Sequence, residues 1–151
     1  MIRNPEIQFA SADAIAAFQQ EYLREEIAYL YENSPYYRRM FDHCGARPDD
    51  IRTQEDLRRL PVTTKTDLQL HPQDFICVPR SRIIDYVTTS GTLGDPVTFA
   101  LTEEDLDRLA YNEAESFTTA GCTPEDVLQL MTTIDRRFMA GLAYFLGARK
   151  L

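Results

Sequence analysis

Ile83-Ile84-Asp85-Tyr86-Val87-Thr88-Thr89-Ser90-Gly91-Thr92-Leu93-Gly94-Asp95-Pro96-Val97-Thr98-Phe99-Ala100-Leu101 sets two β-branched and aromatic runs on either side of a turn rich in glycine and hydroxyls. Branched and aromatic side chains pack well on a pleated surface, so 83–89 and 97–101 read as strands. The intervening turn must reverse the chain. Its glycines let the backbone come close to an anion and turn its amides inward, and the hydroxyls of Thr89, Ser90 and Thr92 can donate to phosphate oxygens. Taken alone, the same residues also fit a hairpin turn with surface hydroxyls. A Walker loop is excluded: no Lys-Ser or Lys-Thr follows Gly94, and a strand rather than a helix comes next.

Working outward, Thr102 and Asp105 form a capping-box pattern that opens a helix over 102–120, with Leu106, Leu109, Ala110 and Phe117 on one face and Gly121 as terminator. Residues 126–132 read as a buried strand and 135–150 as a helix. Strand, helix, strand and helix in succession predict an α/β fold class. Upstream, Ser11 caps a helix that runs to about Asn33. Ser34-Pro35 ends that helix and starts another, which Gly45 closes. Between 47 and 79 the prolines Pro48, Pro61, Pro72 and Pro79 forbid long elements, and Thr53 and Thr64 each precede a short capped turn.

The chain has 151 residues, 44% of them hydrophobic, enough for one core, and a formal net charge of −8. That charge repels polyanions, which argues against nucleic acid and anionic membranes as partners. Cys44, Cys77 and Cys122 form no CxxC pair, so the chain reads as having no disulfide framework. The N-terminus lacks a signal-like apolar region, and the longest apolar stretch, 138–148, is well short of the roughly 20 residues of a bilayer span. These features predict a soluble protein of the cytoplasm. His43 and Cys44 are adjacent and His71 lies far from them, a poor metal-ligand pattern, so no metal site is assigned. Asp135-Arg136-Arg137 reads as a solvated helix start.

The turn 89–96 resembles the phosphate loop of the AMP-forming adenylating enzymes, the acyl-CoA synthetase superfamily, departing from it at Leu93, where a hydroxyl residue is usual. The flank is more specific. Residues 31–68, YENSPYYRRMFDHCGARPDDIRTQEDLRRLPVTTKTDL, resemble the phenylacetate-coenzyme A ligase branch through ordered Tyr-x-Asn-x-Pro-x-Tyr, Pro-x-Asp-Ile and Leu-Pro-x-Thr-x-Lys-x-Asp-Leu segments. Residues 121–127 and 145–151 resemble it as well, so the likeness runs from about Tyr31 to Leu151.

The resemblance implies an N-terminal helical region over 1–80. After it would come the beginning of the AMP-binding α/β domain over 81–151, with the phosphate loop at 88–96. It further implies ATP-dependent activation of a carboxylic acid, of the aryl class such as phenylacetate, through an acyl-adenylate, and transfer to coenzyme A. ATP, magnesium bound with it, and coenzyme A as co-substrate would be required. Thr89, Ser90, Gly91, Thr92 and Gly94 would bind the ATP phosphates, and Phe138, Gly141 and Leu142 would border the acyl pocket. Many relatives place a lysine in or after the loop, where this chain has Asp95 and Val97. The family's adenine and ribose segments and its C-terminal lysine have no counterpart here, so the chain reads as an N-terminal portion inactive alone. The alternative is a non-catalytic interaction module or a subunit of a split enzyme, which oligomerises or pairs with a complementary chain.

Overall fold

A computed structural model describes residues 5–90, 94–134 and 137–151. Two compact units meet in sequence between Val78 and Pro79.

The first unit is helical. Helix α1 spans Ala12–Asn33, and the Ser11 side chain accepts from the Ala14 amide at 3.3 Å, as its capping role requires. Helix α2, Pro35–Cys44, begins directly after Ser34. That serine closes one helix and opens the next. Its amide donates to the Leu30 carbonyl at 2.9 Å, and its hydroxyl accepts from the Tyr37 amide at 3.3 Å and donates to the Asp74 carbonyl at 2.8 Å. Ser34 is 1% exposed, and these three partners satisfy the polar groups that its burial takes from water. Pro35 at the first helical position gives up an amide that would have no partner there. Gly45 ends α2 at φ 65°, a left-handed conformation that glycine adopts without steric cost.

Ile27, Phe41, Ala46 and Ile51 form the core of this unit, with Leu23, Tyr31, Met40 and Leu60 packed against them. Phe41 and Ile51 are fully buried, and the Tyr31 ring meets Phe41 edge-on at 5.7 Å. Single 3-10 turns follow at Pro48–Asp50, Glu55–Arg59 and Pro72–Phe75, spaced by the prolines. The six-residue α3, Lys65–Leu70, carries a full capping box: Thr64 accepts from the Asp67 amide, and Asp67 accepts from the Thr64 amide.

In the second unit β1, Asp85–Thr88, pairs antiparallel with β2, Thr98–Leu101, in the register Asp85↔Leu101 to Thr88↔Thr98. Val87, on β1, and Val97, just ahead of β2, are the buried residues of this hairpin. Helix α4, Glu103–Thr119, starts on the Thr102–Asp105 capping box, and the chain leaves it through Gly121 at φ 94°. Helix α5, Met139–Lys150, lies along α4. Small residues at Ala110, Ala143 and Gly147 are buried on these helices. Phe117 is only half-buried, and its ring meets Tyr144 at 6.2 Å.

Two expectations fail here. Residues 126–132 form no strand. The Asp126 carboxylate accepts from the Thr123 amide at 2.7 Å and the Thr123 hydroxyl at 3.1 Å, which closes a turn, and Val127, Leu128 and Met131 after it are exposed. Among the described residues the sheet has only β1 and β2, which pair with each other, so this run has no ladder to join. The last helix begins at Met139 rather than 135. Arg137 is at φ 61° and Phe138 bridges to Thr88, geometries that hold the backbone out of a helix. Asp135 and Arg136 lie outside the described residues.

Candidate functional site

The hairpin connection is the 90–96 loop, and its neck is closed one residue beyond the ladder. The Thr89 amide donates to the Val97 carbonyl at 3.0 Å, and the Thr89 hydroxyl accepts from the Val97 amide at 3.1 Å. A side-chain oxygen thus stands where a strand carbonyl would otherwise accept. Because it accepts there, the Thr89 hydroxyl keeps its proton for donation to a second partner. Ser90 is exposed at the start of the loop. Gly94 is at φ 126°, a conformation that side chains rarely adopt, with open space where a Cβ would stand. Asp95 is exposed at the bend before Pro96. Gly91, Thr92 and Leu93 lie outside the described residues.

Of the other candidate residues, Phe138 reaches the same hairpin. Phe138 forms an isolated parallel bridge with Thr88, and the Thr88 hydroxyl donates to the Arg137 carbonyl at 3.4 Å. The strand that leads into the loop is therefore tied to the residue that precedes α5. Leu142 is half-buried one turn into α5. Gly141 is buried, and a Cβ there would lie 2.1 Å from the Thr133 carbonyl oxygen and 3.2 Å from the Ile134 Cα, so the missing side chain makes room for the 133–134 backbone. Sequence reasoning placed Thr88 at the start of the loop and Arg137 in a solvated helix start, and did not foresee that the two pair. A hydroxyl ending a strand and an arginine in a left-handed conformation carry no local signal of their pairing.

The three cysteines are free. Cys44 is exposed at the end of α2. Burial pushes the Cys77 thiol above its ordinary value, and the Glu26 carboxylate adds to the shift, so Cys77 stays protonated and poorly nucleophilic at neutral pH. Among the described residues no group of three or more His, Cys, Asp and Glu side chains lies placed to hold a metal ion, and no helix is long and apolar enough to cross a membrane.

No protein-family model matches the chain. It is 38% identical to the phenylacetate-coenzyme A ligase of Escherichia coli over 146 residues, which is 96% of this chain and 33% of that ligase. It is also 38% identical to the phenylacetate-coenzyme A ligase of Thermus thermophilus over 125 residues, 82% of this chain and 28% of that one. Among solved structures, a 2-hydroxyisobutyryl-CoA ligase in complex with 2-HIB-AMP and CoA, in the thioesterification state, superposes with a TM-score of 0.82 at 29% identity, covering 97% of this chain and 32% of that chain. The fold is therefore that of the N-terminal part of an adenylate-forming enzyme. Within that class the sequence matches the phenylacetate-coenzyme A ligase-like branch, over an N-terminal portion only. The chain spans about a third of the length of the curated relatives it matches.

Proposed function

We propose that this chain supplies the phosphate loop and part of the acyl-binding wall of an ATP-dependent, AMP-forming ligase that activates an aryl carboxylic acid and passes it to coenzyme A. On this reading 1–80 is a helical support and 81–151 opens the AMP-binding domain. Thr89, Ser90, Gly91, Thr92 and Gly94 hold the β and γ phosphates through hydroxyls and loop amides, while a carboxylate oxygen attacks the α-phosphate. An acyl-adenylate forms and pyrophosphate leaves. The coenzyme A thiol then attacks the acyl carbon, the thioester forms, and AMP departs with the electron pair of the broken bond. Phe138 and Leu142 border the acid, and Gly141 seats the backbone behind them.

Magnesium would arrive with the nucleotide and neutralise phosphate charge, since the described residues offer no acidic cluster for it. The observation that carries the reading is the loop neck, where Thr89 is fixed to Val97 and, one residue away, Thr88 to Phe138. A phosphate loop works by preorganisation, and donors held before the reaction need no reordering during it.

The loop does not suffice alone. Hydrogen bonds to charged oxygens gain about 1.5–3 kcal/mol each, against an association cost of about 4–15 kcal/mol. The test is acid-dependent ATP–pyrophosphate exchange, run with the chain alone and with it co-expressed beside the portion of the E. coli ligase that follows the matched third, against aryl and aliphatic acids. Exchange is expected only in the combined sample and with aryl acids, and Ser90→Ala lowers it by about tenfold or more. Exchange indifferent to the loop variant, or micromolar ATP binding by the chain alone, overturns the proposal.

A further inference from the structure

Among the described residues Arg137 is the one non-glycine residue at positive φ, 61°. A left-handed backbone crowds a Cβ against the following carbonyl, and glycine or asparagine takes that conformation at less cost. What the neck of the hairpin draws from this position is backbone: the Thr88 hydroxyl donates to the Arg137 carbonyl at 3.4 Å, and the bridge to Thr88 belongs to Phe138. Any residue supplies a carbonyl. The fold therefore leaves the arginine side chain unexplained, and that side chain is exposed and forms no ion pair among the described residues. Strained residues that a structure retains gather at ligand clamps and active sites.

The charge of the loop bears on the same position. Residues 88–97, Thr-Thr-Ser-Gly-Thr-Leu-Gly-Asp-Pro-Val, hold one acid, Asp95, and no base. A polyphosphate brought to these residues alone would meet a loop of its own sign. We propose that the Arg137 guanidinium is the fixed cation of this loop and binds the β and γ phosphates of the nucleotide together with Thr89 and Ser90. The proposal rests on the ligase reading above and adds a binding residue to it. The bond from Thr88 holds Arg137 beside the end of β1, and the arginine side chain is long and carries its donors in a planar fork that matches phosphate oxygens. A tethered backbone at the root of that side chain leaves less order to be lost on binding. The carboxylate of the acid is the other anion such a site would receive, but it carries one charge where the two phosphates carry several, so the attraction of a cation is stronger at the phosphates.

The test titrates the isotope-labelled chain with inorganic pyrophosphate at fixed ionic strength and follows its backbone amide resonances. Binding in about the millimolar range is expected, with shifts gathered at 88–90 and 137–138. Arg137→Gly removes the charge and suits the left-handed backbone, so it should melt no lower than wild type yet bind pyrophosphate more weakly by about tenfold or more. Arg137→Asn, which also tolerates that conformation, should do the same, and Arg137→Lys, which keeps the charge without the fork, should recover part of the binding. Wild type without shifts at those residues, glycine and asparagine variants that bind as wild type does, or shifts raised by phenylacetate and not by pyrophosphate overturn the proposal. Pyrophosphate exchange in the combined sample separates it from the ligase reading. Arginine-dependent binding with no exchange by wild type defeats only the ligase reading, and exchange undiminished in the glycine variant defeats only the role of Arg137.

Discussion

Thr88 and Phe138 pair as an isolated parallel bridge, while the Thr88 hydroxyl donates to the neighbouring Arg137 carbonyl at 3.4 Å. The end of β1 is thereby held between two partners, β2 on one side and the lead into α5 on the other. This makes the hairpin neck a rigid base. On the proposed reading, in which the loop presents amides and hydroxyls to a charged ligand, such a base is an advantage, because disorder in the donors would be lost on binding at an entropic cost.

Gly94 should tolerate no side chain. Its φ of 126° is open in space, so the penalty of Gly94→Ala is conformational rather than steric, on the order of 1–3 kcal/mol if the loop keeps its shape. Urea unfolding of the variant should show that loss, or hydrogen exchange should show 94–97 relaxing to a new conformation. An alanine variant with unchanged stability and unchanged loop exchange would contradict the conformational role.

Gly147 is where α4 and α5 approach most tightly among the glycines described. A Cβ there would stand 2.3 Å from the Glu113 Cβ and 3.0 Å from the Glu113 carbonyl carbon. Alanine improves helix propensity by about 1 kcal/mol, but it forces a backbone apart, and overpacking costs about 1–3 kcal/mol or more. Gly147→Ala should therefore lower the melting temperature. A rise would mean that the helices separate freely.

Much of this fold was legible because it is written in local chemistry. Ser11, Ser34, Thr64 and Thr102 each cap the helix expected of them, since a hydroxyl three residues from an orphan amide needs no distant partner. The two strands and the turn between them were legible for the same reason. What failed was non-local. Val127 to Met131 has the composition of a buried strand, but composition does not say whether a partner ladder is at hand, and here none is among the described residues. The candidate site divides the same way. Thr89 and Gly94 were visible as turn chemistry, whereas the pairing of Thr88 with Phe138, and the carbonyl that fills the space beside Gly141, depend on segments far apart in sequence.

Asp67 links the helical unit to pH. The Thr64 hydroxyl, then the Thr64 amide, hold its carboxyl below the ordinary value of 3.8. A depressed carboxylate contributes stability that is present above its unfolded value and is lost as pH falls through the folded one. The melting temperatures of wild type and Asp67→Ala should thus differ at about pH 6 and converge toward about pH 2.5. A difference that persists in acid would assign the effect of Asp67 to packing instead of its charge.

The last prediction concerns the loop neck itself. Thr89→Val keeps the shape of the side chain but removes the oxygen that accepts from the Val97 amide at 3.1 Å. Val97 is 4% exposed, so water cannot readily replace that acceptor, and an unsatisfied buried donor costs about 1–3 kcal/mol. Thr89→Ser retains the oxygen and should recover most of that loss. Hydrogen exchange at the Val97 amide reads the bond directly: fast in the valine variant, slow in the serine variant and the wild type. In the co-expressed ligase assembly the valine variant should also lose pyrophosphate exchange, through the missing donor and the loosened neck together, while serine restores it. Equal Val97 protection in all three proteins would mean that the Thr89 hydroxyl does not close the neck, and the loop would then need another source of order.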